Sequence, residues 1–168
     1  MYAFVYQSLL KQIGTIKEVV QVDVFNDQPM RRKQEEAFDL PAVYIEFKPI
    51  QWNHRASGRR VADIQIDFHL ETDMTGKDSA GITPEEQRER GLAYMRLLDD
   101  LYACLAGFGA AGDITGFNGL TLTAEQLNVN SGVTREDIIS FTTHVEDDSA
   151  VAQTVVKTLA QGVQVSGE

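Results

Sequence analysis

Val61-Ala-Asp-Ile-Gln-Ile-Asp-Phe-His-Leu-Glu71 alternates without a break. Ala62, Ile64, Ile66, Phe68 and Leu70 fall on one face, and Asp63, Gln65, Asp67, His69 and Glu71 on the other. That period of two is the signature of a β-strand with one buried side. A sheet with such a strand needs helices over its apolar face. The pattern predicts that the acidic face stays open to solvent, a ligand or a neighbouring subunit.

Upstream, Ala42 to Trp52 sets Val43, Ile45 and Phe47 against Tyr44 and Glu46, with Pro49 marking an edge or bulge. Only Asn53 to Arg60 separates it from the 61–71 strand, so the two are expected to form a projecting hairpin. Val20 to Phe25 reads as an earlier strand ended by the turn residues Asn26-Asp-Gln-Pro29, and 30–39 as an irregular excursion. Tyr2 to Ile13 reads as a helix with Val5, Leu9, Leu10 and Ile13 inward and Gly14 as its cap.

Downstream, Thr83-Pro84-Glu85-Glu86 combines a capping threonine, a first-turn proline and a capping-box glutamate. A long helix is expected there, with Leu92, Met95, Leu98, Leu101, Tyr102 and Leu105 as its apolar stripe and Gly107 and Gly109 at its end. Leu120 to Leu127 and Asp137 to Glu146 read as two last strands around Asn128 to Gly132, with Ile139, Phe141 and Val145 inward. The expected fold class is α+β: a mainly antiparallel sheet of about five strands, with an N-terminal helix and one long helix on one face. Residues 1–148 form one domain in this reading, and 149–168, with Val151, Val155, Val156 and Leu159 at helical spacing, an extension that docks on another chain or frays.

A chain of 168 residues is one ordinary domain, able to bury roughly two-thirds of its unfolded surface. Its lone cysteine, Cys104, builds neither a disulfide nor a cysteine metal site, and a reducing cytoplasm is the expected setting. The first residues lack the basic region and cleavage site of a signal peptide, and no apolar run reaches membrane-spanning length, so a soluble chain is expected. With 25 acidic against 15 basic residues the net charge is −10, which disfavours nucleic acid as a bound partner. The basic residues cluster in two predicted loops: Arg31, Arg32 and Lys33, and then His54, Arg55, Arg59 and Arg60. Solvated loop charge is the plain reading of both; contact with acidic faces of partner subunits is the functional one. Trp52, at the base of the hairpin, reads as either a partly buried sheet residue or an interface hot spot. The candidate interface residues are therefore Trp52, His54, Arg55, Arg59, Arg60, Arg31 and Arg32.

No dinucleotide fingerprint, phosphate-binding loop or nucleophile elbow occurs in the chain. His69 with Asp63, Asp67 and Glu71, joined by His144 from the last strand, could form a metal site if the strands were neighbours. A wet acidic strand face explains the same residues without one. Asp99 and Asp100 near Arg96 could pair for acid–base work, but lie opposite the helix stripe, where solvation accounts for them. Met95 and Cys104 read as core fillers. No catalytic residue, cofactor or metal is expected.

The order helix, strand, two-strand hairpin, long helix and final strand pair, with Leu40-Pro-Ala-Val-Tyr-Ile-Glu-Phe47, Val61 to Glu71, Tyr94 to Phe108 and Asp137-Ile-Ile-Ser-Phe-Thr-Thr-His-Val-Glu146, resembles the tail terminator (tail completion) proteins of long-tailed phages. The resemblance spans about residues 1 to 146 and rests on topology and a Pro-Ala-Val strand entry. It implies a non-catalytic virion subunit, assembled in the bacterial cytoplasm. Such a subunit forms a ring, typically hexameric, though it can be monomeric in isolation. The ring stops the tail tube and joins it to the head-closure or connector protein. Through such a ring DNA passes without specific binding, because like charge denies it the counterion release that holds it to basic surfaces. Another ring-forming phage component, such as a tail tube or head-closure protein, is the alternative, followed by a small acidic enzyme or metal-binding domain built on His69 and His144.

Overall fold

The structure, a computed structural model, describes residues 2–27, 39–55, 58–73, 84–111, 116–127 and 134–148. Its elements run α1 (Tyr2–Ile13), β1 (Gln21–Val24), β2 (Ala42–Phe47), β3 (Asn53–His54), β4 (Arg60–Thr72), α2 (Glu85–Leu105), β5 (Thr121–Gln126) and β6 (Arg135–Asp147). The strands make one sheet in the order β1-β2-β4-β6-β5, with the short β3 pairing onto β4. The α+β class holds, and the strands expected near 20–25, 61–71, 120–127 and 137–146 form; the one expected over 42–52 stops at Phe47, and Asn53–His54, read as loop, adds the short β3. The expected 30–39 excursion (apart from Asp39), the Thr83 cap, the 128–132 turn and the 149–168 extension lie outside the described residues.

One pairing differs from an antiparallel meander. β1 runs parallel to β2, with Gln21 beside Ala42 and Val24 beside Ile45, fastened by Val20 N–H donating to Pro41 O and Phe25 N–H to Ile45 O. Parallel neighbours cannot be joined by a tight turn, so a crossover of a dozen or more residues is a geometric requirement. The stretch between Phe25 and Pro41 supplies it. β2, β4, β6 and β5 are antiparallel, and β4 and β6 pair over their whole length, from Arg60 beside Asp147 to Thr72 beside Arg135.

Both helices cover the face predicted to be apolar. Val5, Leu9 and Ile13 of α1 and Leu97, Leu101 and Leu105 of α2 meet Val43, Ile45, Ile64, Ile66, Phe68, Ile139, Phe141 and Val145 in one core. Phe68 and Phe141 pack edge to face at 5.7 Å, the favoured geometry for an aromatic pair. The α2 stripe is rotated from its expected line. Tyr94, Leu97, Leu101 and Leu105 are buried, whereas Met95 and Tyr102 are 49% and 43% exposed, so Met95 is not a core filler. Leu10 of α1 is likewise exposed. An apolar residue one step around a helix from its buried row needs a further neighbour to be covered, and the short strand β5 provides none.

α2 begins at Glu85 rather than at Pro84, which stands before the helix in extended conformation and accepts from the Gln87 and Arg88 amides without a side-chain cap. Glu85 and Glu86 suit the positive end of the helix dipole. At the other end Gly107, φ 73°, adopts the left-handed conformation that stops the helix, as expected from its position.

Candidate assembly surfaces and a buried polar array

The hairpin forms as expected and runs past the sheet. β3 pairs with the start of β4, Asn53 with Val61 and His54 with Arg60, while the last rung of β6 is Asp147 beside Arg60. Arg55, Gly58 and Arg59 therefore lie beyond the end of the neighbouring strand. His54, Arg55 and Arg59 are exposed there, and the Arg55 amide closes the tip on Arg59 O at 2.7 Å.

Arg60 and Trp52 behave differently from the other basic-loop candidates. The Arg60 guanidinium donates to Asp147 Oδ2 through both Nε (2.9 Å) and a terminal nitrogen (2.6 Å), and it lies 4.4 Å from the centre of the Trp52 ring. Trp52 is half-buried against the core. These two side chains fasten the hairpin to the sheet; His54, Arg55 and Arg59 are the members left facing outward. Arg31 and Arg32 lie outside the described residues.

The face opposite the helices is not the wet acidic surface that the alternation predicts. At the end of β4 away from the hairpin, Asp67, His69 and Glu71 are buried, His69 to 4% exposure. Tyr44 of β2 and Glu136 of β6 sit beside them, also buried. The reason is tertiary: β4 is central, β2 and β6 bring their own polar side chains onto the same face, and Phe25 stacks on the His69 ring at 3.9 Å. Desolvation is tolerable only if each group finds a partner. His69 Nδ1 is 2.8 Å from Glu136 Oε1 and its Nε2 is 3.0 Å from Glu46 Oε2, so both ring nitrogens face acceptors. Lys48 Nζ donates to Glu46 Oε2 at 2.6 Å and lies 3.0 Å from Asp67 Oδ2. Thr134 donates to Glu71 Oε1 at 2.6 Å.

Electrostatics follow from these contacts. Burial alone would raise the Asp67 carboxyl, but hydrogen bonds from Gln65, Ser140 and Lys48 outweigh it and hold Asp67 below the usual carboxylate range. Burial would lower Lys48, and Glu46 with Asp67 more than reverse that. One ligand atom each from Glu46, Asp67 and His69 lie within 4.8 Å of one another, close enough in principle to hold a cation. The Lys48 ammonium already contacts two of the three, and Glu136 takes the second nitrogen of His69. A dication would have to displace a cation the chain itself supplies. His144 does not join this array. It pairs with Asp63 at 2.8 Å, six residues along β4 from His69, or about 20 Å at ~3.3 Å per residue.

A second polar group lies under α2. Tyr94 Oη donates to Asp137 Oδ2 at 2.7 Å, Arg135 contacts both Asp137 oxygens at 3.0 to 3.2 Å, and its guanidinium sits 4.0 Å over the Tyr94 ring. Burial and then the Asp137 carboxylate push the Tyr94 hydroxyl well above its ordinary range. Sequence reading missed this cluster and the partners Lys48 and Glu136. Its only trace is Arg135-Glu-Asp137, charge on both faces of a strand that turns apolar directly afterwards. Asp99 and Asp100 are exposed, as expected, and Arg96 reaches Glu89 at 3.4 Å instead of either.

The remaining surface features are apolar. Tyr2, Phe4, Leu10, Val20 and Val24 are exposed around α1 and β1, and Met95, Tyr102 and Leu127 around α2 and β5. Among the described residues no helix is long and apolar enough to cross a membrane. No protein-family model matches the chain, and no curated protein matches it. Among solved structures, a chain of the virion of a native gene transfer agent particle is similar over 85% of this chain and 92% of that one, at 18% identity and a TM-score of 0.38.

Proposed function

We propose that this chain is a structural virion protein of the phage-tail type: a tail terminator that assembles as a ring on the end of the tail tube, ends its growth and meets the head connector. The observation that carries the reading is the element order. Helix, strand, hairpin, long covering helix and closing strand pair is the order in which the described residues fold. The disposition of polar groups supports it. Among the described residues, buried His69, Asp67 and Asp137 are held by neighbouring side chains, while the exposed surface offers a cationic hairpin and apolar flanks, features of an assembling subunit.

In this reading no catalysis takes place, no cofactor is needed, and the neighbours are further copies of the chain, the tube protein and the connector. His54, Arg55 and Arg59 contact a neighbour, and the net charge of −10 lets DNA pass without adhering. The test is the mass of the purified full chain across a concentration series by light scattering coupled to size exclusion, with negative-stain imaging. Closed annular particles of fixed copy number are expected. Charge reversal at Arg55 and Arg59 together should weaken assembly and leave the melting temperature unchanged. A monomer throughout the series that also forms no annular cap on added tail tubes would refute the ring.

A further inference from the structure

Among the described residues the sheet has two open edges, β1 and β5, and the helical layer ends in an apolar flank above each. On the β1 side of the sheet, α1 exposes Phe4, to 55%, and Leu10, about 120° apart around the helix, and Val20 is exposed where the chain enters β1. Over β5, Met95, Leu98 and Tyr102 of α2 face Leu122 and Leu127 across a groove of about 450 Å³. Met95, Asp99 and Tyr102 follow one another at helical spacing along its wall.

The flanks differ in charge. Exposed Lys11 and Lys17, with Glu18, accompany the α1 side; exposed Asp99, Asp100 and Glu125 accompany the groove. Lys11, Lys17, Asp99, Asp100 and Glu125 make no ion pair among the described residues, and the cation lining the groove, Arg135, is held by Asp137. Each flank alone is an apolar surface of the kind soluble proteins keep small. Together they are complementary: a helix with outward apolar residues Phe4 and Leu10 and a basic Lys11, and a groove with apolar walls and an acidic rim. An apolar groove with an acidic rim suits a helix whose outer side carries apolar and basic side chains.

We propose that α1 of one copy seats in the α2–β5 groove of the next, Phe4 and Leu10 against Met95 and Tyr102, with Lys11 toward Asp99 and Glu125. The two surfaces are different patches on opposite flanks, so the contact is heterologous. Successive copies then generate a ring if the rotation closes and a filament if it does not. The inference rests on the tail-terminator reading for closure, but the contact itself does not require it.

The test uses the full chain. A Met95→Cys variant, with Cys104→Ser to leave one thiol, carries a maleimide benzophenone, is mixed with isotopically heavy wild-type chain, irradiated and mapped by mass spectrometry. Cross-links from the groove to heavy peptides within residues 2–18 are expected. Lys11→Glu on the heavy chain should reduce them about threefold, the size of a rim charge pair, and Asp99→Lys on the light chain should restore them. Attachment to residues 149–168, to the groove of a second copy, or to no second chain would overturn the contact. Thermal melts establish that these surface variants fold. Annular particles without the α1 cross-link would remove this interface and leave the ring. The cross-link with open filaments would keep the interface and remove the ring.

Discussion

Replacing His69 by alanine removes the centre of the buried array. Its ring stands between Glu136 at 2.8 Å and Glu46 at 3.0 Å and under Phe25 at 3.9 Å, in a site where the His69 side chain is 5% and that of Glu136 10% exposed. Alanine leaves the Glu136 carboxyl without its imidazole partner, Glu46 with Lys48 alone, and a ring-sized void. Stranding a buried partner costs roughly 3–5 kcal/mol when the pair is fully desolvated. Glu46 is 28% exposed and keeps Lys48, so the lower end applies. The expected loss is about 3 kcal/mol, a large share of the roughly 5–15 kcal/mol of an ordinary domain. In urea, with a slope of ~1.5 kcal/mol/M, the unfolding midpoint should fall by about 2 M. The double variant His69→Leu with Glu136→Leu removes both members and fills the space, so it should recover at least about half of the loss. A loss below about 1 kcal/mol for His69→Ala, or a double variant as unstable as the sum of its singles, would refute the view that mutual satisfaction holds this face together.

Tyr94→Phe deletes one hydrogen bond to buried Asp137 while keeping the ring under Arg135, and should cost about 1.5–3 kcal/mol by denaturant titration. Because the folded Tyr94 hydroxyl is raised, the stability it contributes is complete below the unfolded value near ~10 and is lost as pH rises past it; the alkaline fall in melting temperature should be shallower in Tyr94→Phe. Asp67 is lowered, so its contribution is present above the unfolded value near ~3.9 and lost as pH falls through the folded one. Asp67→Asn should therefore lower stability at pH 7 and flatten the acid loss below about pH 4. Leu101→Ala, in the fully buried row of α2, should cost about 2–5 kcal/mol, whereas Met95→Ala, at 49% exposure, should stay within about 1 kcal/mol. Burial raises the Cys104 thiol, so alkylation of the folded chain at pH 8 should be slow and accelerate on unfolding; reaction at the rate of a free thiol would contradict the packing of Cys104 against Gln12.

Much of this architecture is legible in the chain because it depends on local periodicity. The alternation of 61–71 marked β4, the spacing of Val5, Leu9 and Ile13 marked α1, and Gly107 marked the end of α2, since each rests on a repeat or backbone requirement that neighbours in sequence impose. Period alone also identified which face of β4 the helices cover. It could not tell what lies on the other face. An alternating acidic strand reads the same at the edge of a sheet, where it is wet, and at the centre, where β2 and β6 enclose it. Strand order decides between these, and strand order depends on pairings between residues far apart in sequence, His69 with Tyr44 and Ile138 among them.

The same limit explains the other differences. Arg60 looked like its neighbours Arg55 and Arg59, and only the register that brings Asp147 beside it makes it a fastening rather than a contact residue. Met95 looked like Leu101, and only the short β5 leaves it uncovered. The parallel β1–β2 pair follows from a crossover whose destination no local pattern records. Sequence by itself determined most of the elements, the buried side of β4 and the acidic balance of the chain, because those depend on composition and on what lies within a turn or a strand of each residue. Tertiary structure alone decided which charged groups are buried, which cation each carboxylate holds, and which apolar side chains remain exposed. Desolvation and pairing are set by neighbours in space, and those neighbours come from strands up to 87 residues apart, as Arg60 and Asp147 do.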